Sequence, residues 1–312
     1  MSAETLSRES AAALWYVARK KSPVAPTPIS GLATGSEGSG MRVAIQGEPG
    51  AFSHEAVLQL HPASQVAPYA LSADVFAALS NHEVDAAVIP IENSLAGSVL
   101  EHFDLLLTHD VRVEEETLLR IRHNLIALQG TAIEDIERVF SHPVALAQCR
   151  KFLAAHPKME AFSFYDTAGS VKQLVELQDH HAAAIASAAA AAYYGAHILQ
   201  ANIEDNTENF TRFFLVRRAE DSRPRPDSNK ISLAFSVENR PGSLVAALAD
   251  LSTLGTNLTK IESRPVHGKP WEYIFYVDCQ VRSLEEADRA VEALKPHCAM
   301  VKELGRYPEA RR

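Results

Sequence analysis

Five short stretches of this 312-residue chain gather residue types that can hold a small anion or assist a departing group. Gln46-Gly47-Glu48-Pro49-Gly50-Ala51-Phe52-Ser53 follows an apolar run and precedes a helical pattern beginning near His54. Gly50 lets backbone N–H groups approach a ligand, Ser53 can cap the helix or donate to a carboxylate, and a helix start favours negative charge. An ordinary strand-to-helix turn accounts for the same residues. GxGxxG is absent and no GK[ST] follows, so the run is neither a dinucleotide fingerprint nor a phosphate loop.

Pro90-Ile91-Glu92-Asn93-Ser94-Leu95-Ala96-Gly97-Ser98 offers the Asn93 amide and the Ser94 hydroxyl, while Glu92 is expected to brace the loop rather than face an anion. Ser141-His142-Pro143 and Tyr165-Asp166-Thr167-Ala168-Gly169-Ser170 each close a strand and open a helix, where backbone donors otherwise lack partners. Each junction alone reads as a cap. The four together describe a cleft lined with donors, suited to a small di-acid. In Asn209-Phe210-Thr211-Arg212-Phe213-Phe214-Leu215, a strand would put Thr211 and Phe213 on one face and Phe210 and Arg212 on the other, unless its start bends. Arg212 can clamp a carboxylate and Thr211 can offer a hydroxyl to a leaving oxygen, or both can face solvent from an edge strand.

Other chemistries find no support. The thirteen histidines form no HExxH or comparable ligand spacing, and no serine nucleophile elbow occurs, so neither a metal nor a cofactor is expected. His54, His102 and His142 read as caps or partly buried structural residues. Cys149, Cys279 and Cys298 are odd in number and widely spaced, which argues against a disulfide framework and suits a reducing, cytoplasmic setting. A net charge of -9 without basic blocks disfavours nucleic acid. The alanine-rich run from Ala182 to Ala192 is too short and weakly apolar to span a bilayer, so no membrane partner is expected.

The elements that must position these residues show two rhythms. Residues 1–41 read as a flexible extension, with a short helical pattern over 1–21 and a Pro/Gly/Ser/Thr-rich stretch after it; an organelle presequence stays open. From Arg42, apolar runs at Val43 to Gln46, Ala86 to Ile91, Arg138 to Ser141 and Ala182 to Ser187 alternate with helical segments, implying parallel sheet covered by helices over 42–219. The last run overlaps the alanine-rich stretch, and where strand yields to helix is open. Residues 220–229, with Pro224, Pro226 and Asp227, read as a linker. Over 230–308, Ile231, Leu233, Phe235 and Val237 alternate; Leu244, Leu248, Leu251 and Leu254 follow helical spacing to a stop at Gly255; Tyr273, Phe275, Val277 and Cys279 alternate again. Ser283 and Glu286 form a capping box, and a last strand falls near Met300, giving a βαββαβ sandwich before a short tail at 309–312.

These motifs resemble the prephenate dehydratases. Gly47 to Ser53 is similar to the family's glycine-rich opening, although proline more often stands at the position of Glu48. Pro90 to Ser94 with Gly97, Ser141-His142-Pro143 with Ala145, Leu146, Gln148 and Cys149, Asp166 to Gly169, Ile185 to Ser187 with Tyr194-Gly195, and Thr211-Arg212-Phe213 follow in family order. Beyond the linker, Glu238 to Val245 resembles the first effector loop of an ACT regulatory domain, with Ser243 where alanine is usual. Glu262-Ser263-Arg264-Pro265 is similar to the second, followed by Gly268, Pro270, Trp271, Glu272 and Tyr273.

The resemblance implies a two-lobed α/β catalytic domain like a periplasmic-binding fold, with substrate between the lobes, and a ferredoxin-like ACT domain. It implies Thr211 as donor to the departing hydroxyl with Arg212 and Phe213 beside it, and Gly50, Ser53, Asn93, Ser94, Ser141, Thr167, Ala168 and Gly169 around the substrate, prephenate or, alternatively, arogenate. Asn239, Pro241, Gly242, Ser243, Leu244, Val245, Glu262, Ser263, Arg264 and Pro265 would bind phenylalanine as effector. A homodimer or homotetramer is expected. A noncatalytic amino-acid sensor is the reading from another class.

Overall fold

The computed structural model describes residues 40–266 and 272–310; expectations for residues 1–39 and for Gly268, Pro270 and Trp271 lie outside the described residues. The first lobe runs β1 (Arg42–Gln46), α1 (Phe52–Leu60), β2 (Gln65–Tyr69), α2 (Ser72–Ser80), β3 (Ala86–Asn93), β4 (Gly97–Ser98), α3 (Leu100–Thr108) and β5 (Val111–Arg120). The second runs β6 (Asn124–Ala127), β7 (Arg138–Ser141), α4 (Pro143–Gln148), α5 (Arg150–Ala155), β8 (Glu160–Ser163), α6 (Thr167–Leu177), β9 (Ala182–Ala186), α7 (Ala188–Tyr194) and β10 (His197–Gln200). β11 (Phe210–Arg218) then returns to the first lobe's sheet, so the chain crosses between lobes twice, at 121–123 and 201–209. Both lobes are α/β, as expected.

β1 pairs in parallel with β2 and β3, and β11 lies antiparallel between β3 and β5. Covered on both faces, such strands read as continuous apolar runs, and Val43, Ala44 and Ile45 are all fully buried. Alternation assigns each residue a side. Val43, Ile45, Ala86, Val88, Phe213 and Leu215 pack beneath Ala56 and Val57 of α1, while Ala44, Ala87, Ile89, Phe214 and Val216 meet Phe76 of α2 and Phe103 of α3. The second lobe's sheet has the order β10-β6-β9-β7-β8. The alanine-rich stretch is a strand and then a helix: Ala182–Ala186 is fully buried, and Ser187 breaks the run by accepting the Ala190 N–H at 2.9 Å as N-cap of α7.

After residues 219–229 come β12 (Lys230–Val237), α8 (Ser243–Thr253), β13 (Asn257–Pro265), β14 (Tyr273–Gln280), α9 (Leu284–Leu294) and β15 (Cys298–Tyr307). Their order β13-β14-β12-β15 is the ferredoxin-like arrangement. Both helices cover one face through Leu233, Phe235, Leu251, Val277 and Leu294. The other face, with Ala234, Ile274, Tyr276 and Leu304, packs on Phe103, Leu106 and Val113 of the first lobe. β15 also pairs with β5 at Gly305 and Val113, joining both modules into one ten-stranded sheet. A Cβ at Gly305 would lie 2.2 Å from the Val113 carbonyl oxygen, so only glycine fits that seam.

Two local expectations change. Ser283 caps α9 by accepting the Glu286 N–H, but the Glu286 carboxylate takes the N–H of Arg282 rather than that of Ser283, so the reciprocal box is half formed. Glu309 and Ala310, expected to begin a tail, are tied down: Glu309 pairs with Lys230 at 3.1 Å and the Ala310 N–H donates to Glu116.

Candidate active site

Thr211, second in β11, faces Asn93 across the ladder. Asn93 Nδ2 donates to Thr211 Oγ1 at 2.9 Å and to Asn209 Oδ1 at 2.8 Å. The other end of this amide, Asn93 Oδ1, accepts the Leu95 and Ala96 N–H groups at 3.0 and 2.8 Å, the self-turning habit of a short amide side chain. Thr211 therefore receives a hydrogen bond through its oxygen, and its own proton is left to point elsewhere. Asn209 also borders a cavity of about 380 Å³ with Leu95, Val144, Gln148 and Arg150 in its wall; Asn93 and Thr211 are not part of that wall.

The glycine-rich stretch docks on the second lobe. Ser187 Oγ donates to the Gly50 carbonyl at 2.7 Å, and a Cβ at Gly50 would lie 2.6 Å from Ala190 Cα. Gly50 is thus required for lobe contact and for its φ of +87°. Glu48 clasps both lobes: Tyr165 donates to Oε1 at 2.9 Å and Lys172 to Oε2 at 3.1 Å. Burial raises the Asp166 carboxyl above its ordinary value, although the N–H groups of Gly169, Ala168 and Glu48 act against the shift.

Several residues expected around the substrate have their polar atoms engaged by neighbouring protein groups. The Arg212 guanidinium is engaged on all sides: Nε donates to Glu116 at 2.6 Å, Nη1 to Asp278 at 2.5 Å and Nη2 to the Tyr307 hydroxyl at 3.0 Å, and it stacks over the Phe214 ring. Burial opposes its charge, but Tyr307, Asp278 and Glu116 hold the guanidinium above its ordinary value. Ser141 is fully buried and donates to the Ile185 carbonyl at 2.5 Å, a strand-to-strand tie. Ser94 donates to the Glu208 carbonyl and accepts the Phe210 N–H. The Gly50 N–H donates to His54 Nδ1, and those of Ala168 and Gly169 go to Asp166, the N-cap of α6. Ser53 lies within the first turn of α1, whose N-cap is Ala51, so its capping reading fails. Thr167 opens α6, half-buried.

Glu92 braces as expected, accepting from Lys260 at 3.1 Å. His142 caps α4, and His102 is buried between Ser72 and the Pro90 carbonyl. What sequence reasoning missed is the amide of Asn209, the Gln148 side chain it meets and the cavity-facing Arg150. Asn209 and Gln148 stood inside the matching motifs, which was the available signal.

In the ACT module the register Ser236↔Ile274↔Arg264 puts the end of β12, the 238–242 loop and Ser263–Pro265 at one end of the sheet. Gly242, with φ +87°, leads into α8, where the Ser243 hydroxyl is buried without a partner. Asn239 and Pro241 are exposed, and Val245 is 70% exposed. On the opposite face of β13, Lys260, Glu262 and Arg264 hold Glu92, Ser98 and Asp104 of the catalytic part.

Residues 43–221 match the family model described as prephenate dehydratase, and residues 231–296 match the ACT domain. The chain belongs to the prephenate dehydratase family. It is 39% identical over 303 residues, 92% of this chain and 78% of the other, to the arogenate dehydratase/prephenate dehydratase 2, chloroplastic, of Arabidopsis thaliana. The crystal structure of prephenate dehydratase in complex with L-Phe from Arthrobacter aurescens superposes with a TM-score of 0.79 at 30% identity, covering 86% of this chain and 90% of that one. A structure described as GqqA, a novel type of quorum quenching acylase, gives 0.79 at 32% identity over 86% and 97%. Ser72 and His102 lie 2.8 Å apart but are each 1% exposed, and burial pushes the Cys279 and Cys298 thiols up to about 12 and 11.

Proposed function

We propose that this dehydratase converts prephenate to phenylpyruvate, with Thr211 donating to the departing ring hydroxyl. Loss of the ring carboxylate as carbon dioxide supplies the electron pair that expels the hydroxyl and makes the ring aromatic, so no redox partner is needed. The protein's part is to orient the di-anion and stabilise the leaving oxygen. The observation that carries the reading is the 2.9 Å bond from Asn93 to the Thr211 oxygen, which leaves the hydroxyl proton for a ligand. A threonine hydroxyl is too weak an acid to complete the transfer, so it acts by hydrogen bonding in the transition state. Phe213, 2% exposed beneath α1, fixes the strand, and Ser53, Thr167 and Arg150 are the side chains assigned to carboxylates.

Arogenate, which carries an ammonium where prephenate has a ketone, is the second substrate to assay, because the Arabidopsis relative is named for both. Parallel turnover of the two purified compounds tests the proposal: consumption of neither sinks it, and faster consumption of arogenate reassigns the substrate. Phenylalanine is the proposed effector, bound by Asn239 to Val245 and Glu262 to Pro265, and calorimetry showing no binding would refute that part. A homodimer or homotetramer is supported by the exposed apolar residues Val245, Ile261 and Tyr273 on the ACT module. Three free cysteines support a cytoplasmic setting.

A further inference from the structure

The amides beside Thr211 do not end at Asn209. Asn209 Nδ2 donates to Gln148 Oε1 at 2.9 Å, and the same oxygen lies 2.8 Å from His123 Nε2. The direction of every bond follows from one end. Two backbone N–H groups point at Asn93 Oδ1, so its other terminus is the NH2; that nitrogen donates to Asn209 Oδ1, so Asn209 turns its NH2 to Gln148. The Gln148 atom facing both is therefore oxygen, and His123 must carry its proton on Nε2.

His123 sits in the first crossing and Asn209 in the second, with Gln148 at the end of α4 between them. The chain of bonds thus joins both interlobe crossings to Thr211. His123 is 2% exposed, stands edge-on to Phe52 at 5.6 Å, and leaves Nδ1 buried without a partner. A ring kept only for packing would be better served by phenylalanine, because an unpaired buried nitrogen costs stability. What an imidazole adds here is one directed N–H.

We propose that His123 is a positioning residue for the dehydration: its Nε2–H holds Gln148, and through Asn209 and Asn93 it fixes where the Thr211 hydroxyl points. This rests on the assignment of Thr211 above. His123→Phe keeps a ring and removes the donor; His123→Gln replaces the ring with an amide that keeps an N–H donor. The expected result is a kcat for prephenate lowered about tenfold in His123→Phe with little change in KM, since misplacement acts on the chemical step. His123→Gln recovers most of that loss, and His123→Phe adds no further loss on top of Thr211→Ala. An unchanged kcat in His123→Phe overturns the proposal, as do equal losses in the two His123 variants or losses that simply multiply with Thr211→Ala. Near wild-type turnover of Thr211→Ala alone instead rejects the parent assignment. Should His123→Phe not fold, nitrogen NMR of the wild-type imidazole decides: a proton on Nε2 supports the proposal and a proton on Nδ1 overturns it.

Discussion

Thr211 carries the most demanding assignment, and its prediction is sharp. Thr211→Ala removes the hydroxyl while leaving β11 paired on both sides, so kcat should fall by about 100-fold or more, the usual cost of losing one transition-state donor. Thr211→Ser keeps the oxygen that Asn93 addresses and should retain most turnover. Steady-state kinetics on both variants checks this. His102 and His123 give a pH prediction. Burial holds both below the ordinary 6.5, so the unfolded chain takes up protons first as pH falls. Their contribution is complete above pH 6.5 and is lost as pH drops through the folded values. Urea midpoints between pH 7 and 5 should decline, and less steeply in His102→Gln.

Among the elements, β5 explains most of what the sequence concealed. Glu114, Glu115 and Glu116 stand in a row and meet Arg217, His61 and the Arg212–Lys230 pair. Those partners lie far along the chain, and no local periodicity announces them. Arg212→Ala leaves Glu116 and Asp278, 7% and 4% exposed, without their guanidinium, and should cost about 3–5 kcal/mol in urea unfolding. The parallel strands were legible because two-faced burial writes itself as apolar runs, and the βαββαβ rhythm because its strands alternate and its helices keep helical spacing. The partners of the junction residues were not legible. A cap and an anion site call for the same serines, threonines and glycines, and only geometry shows Asp166 answering Gly169, or Ser141 answering Ile185.

Across the whole molecule, the strand that carries Glu262 and Arg264 is also the strand that grips the catalytic part. Arg264 pairs with Asp104, Lys260 with Glu92, and Ser98 donates to Glu262 at 2.7 Å. An effector that recruits Glu262 or Arg264 competes with these ties, one residue from Asn93 in the case of Glu92. Asp104→Asn weakens one tie, so half-inhibition by phenylalanine should need about fivefold less effector, within the usual range of coupling between sites. Inhibition curves at fixed prephenate test the direction, and a rise in the required concentration refutes it.

Gly305 and Val113 make a seam one residue pair wide. So narrow a ladder does not carry the joint alone: Ala234, Ile274, Tyr276 and Leu304 against Phe103 and Leu106, with Arg212 bridging Glu116 to Asp278, hold the ACT sandwich in place. The seam sets the ACT sandwich against β5 at Val113, and β5 pairs with β11 along nine residues that include Thr211. Gly305→Ala would press a methyl group against the Val113 carbonyl, and the urea midpoint of that variant should fall.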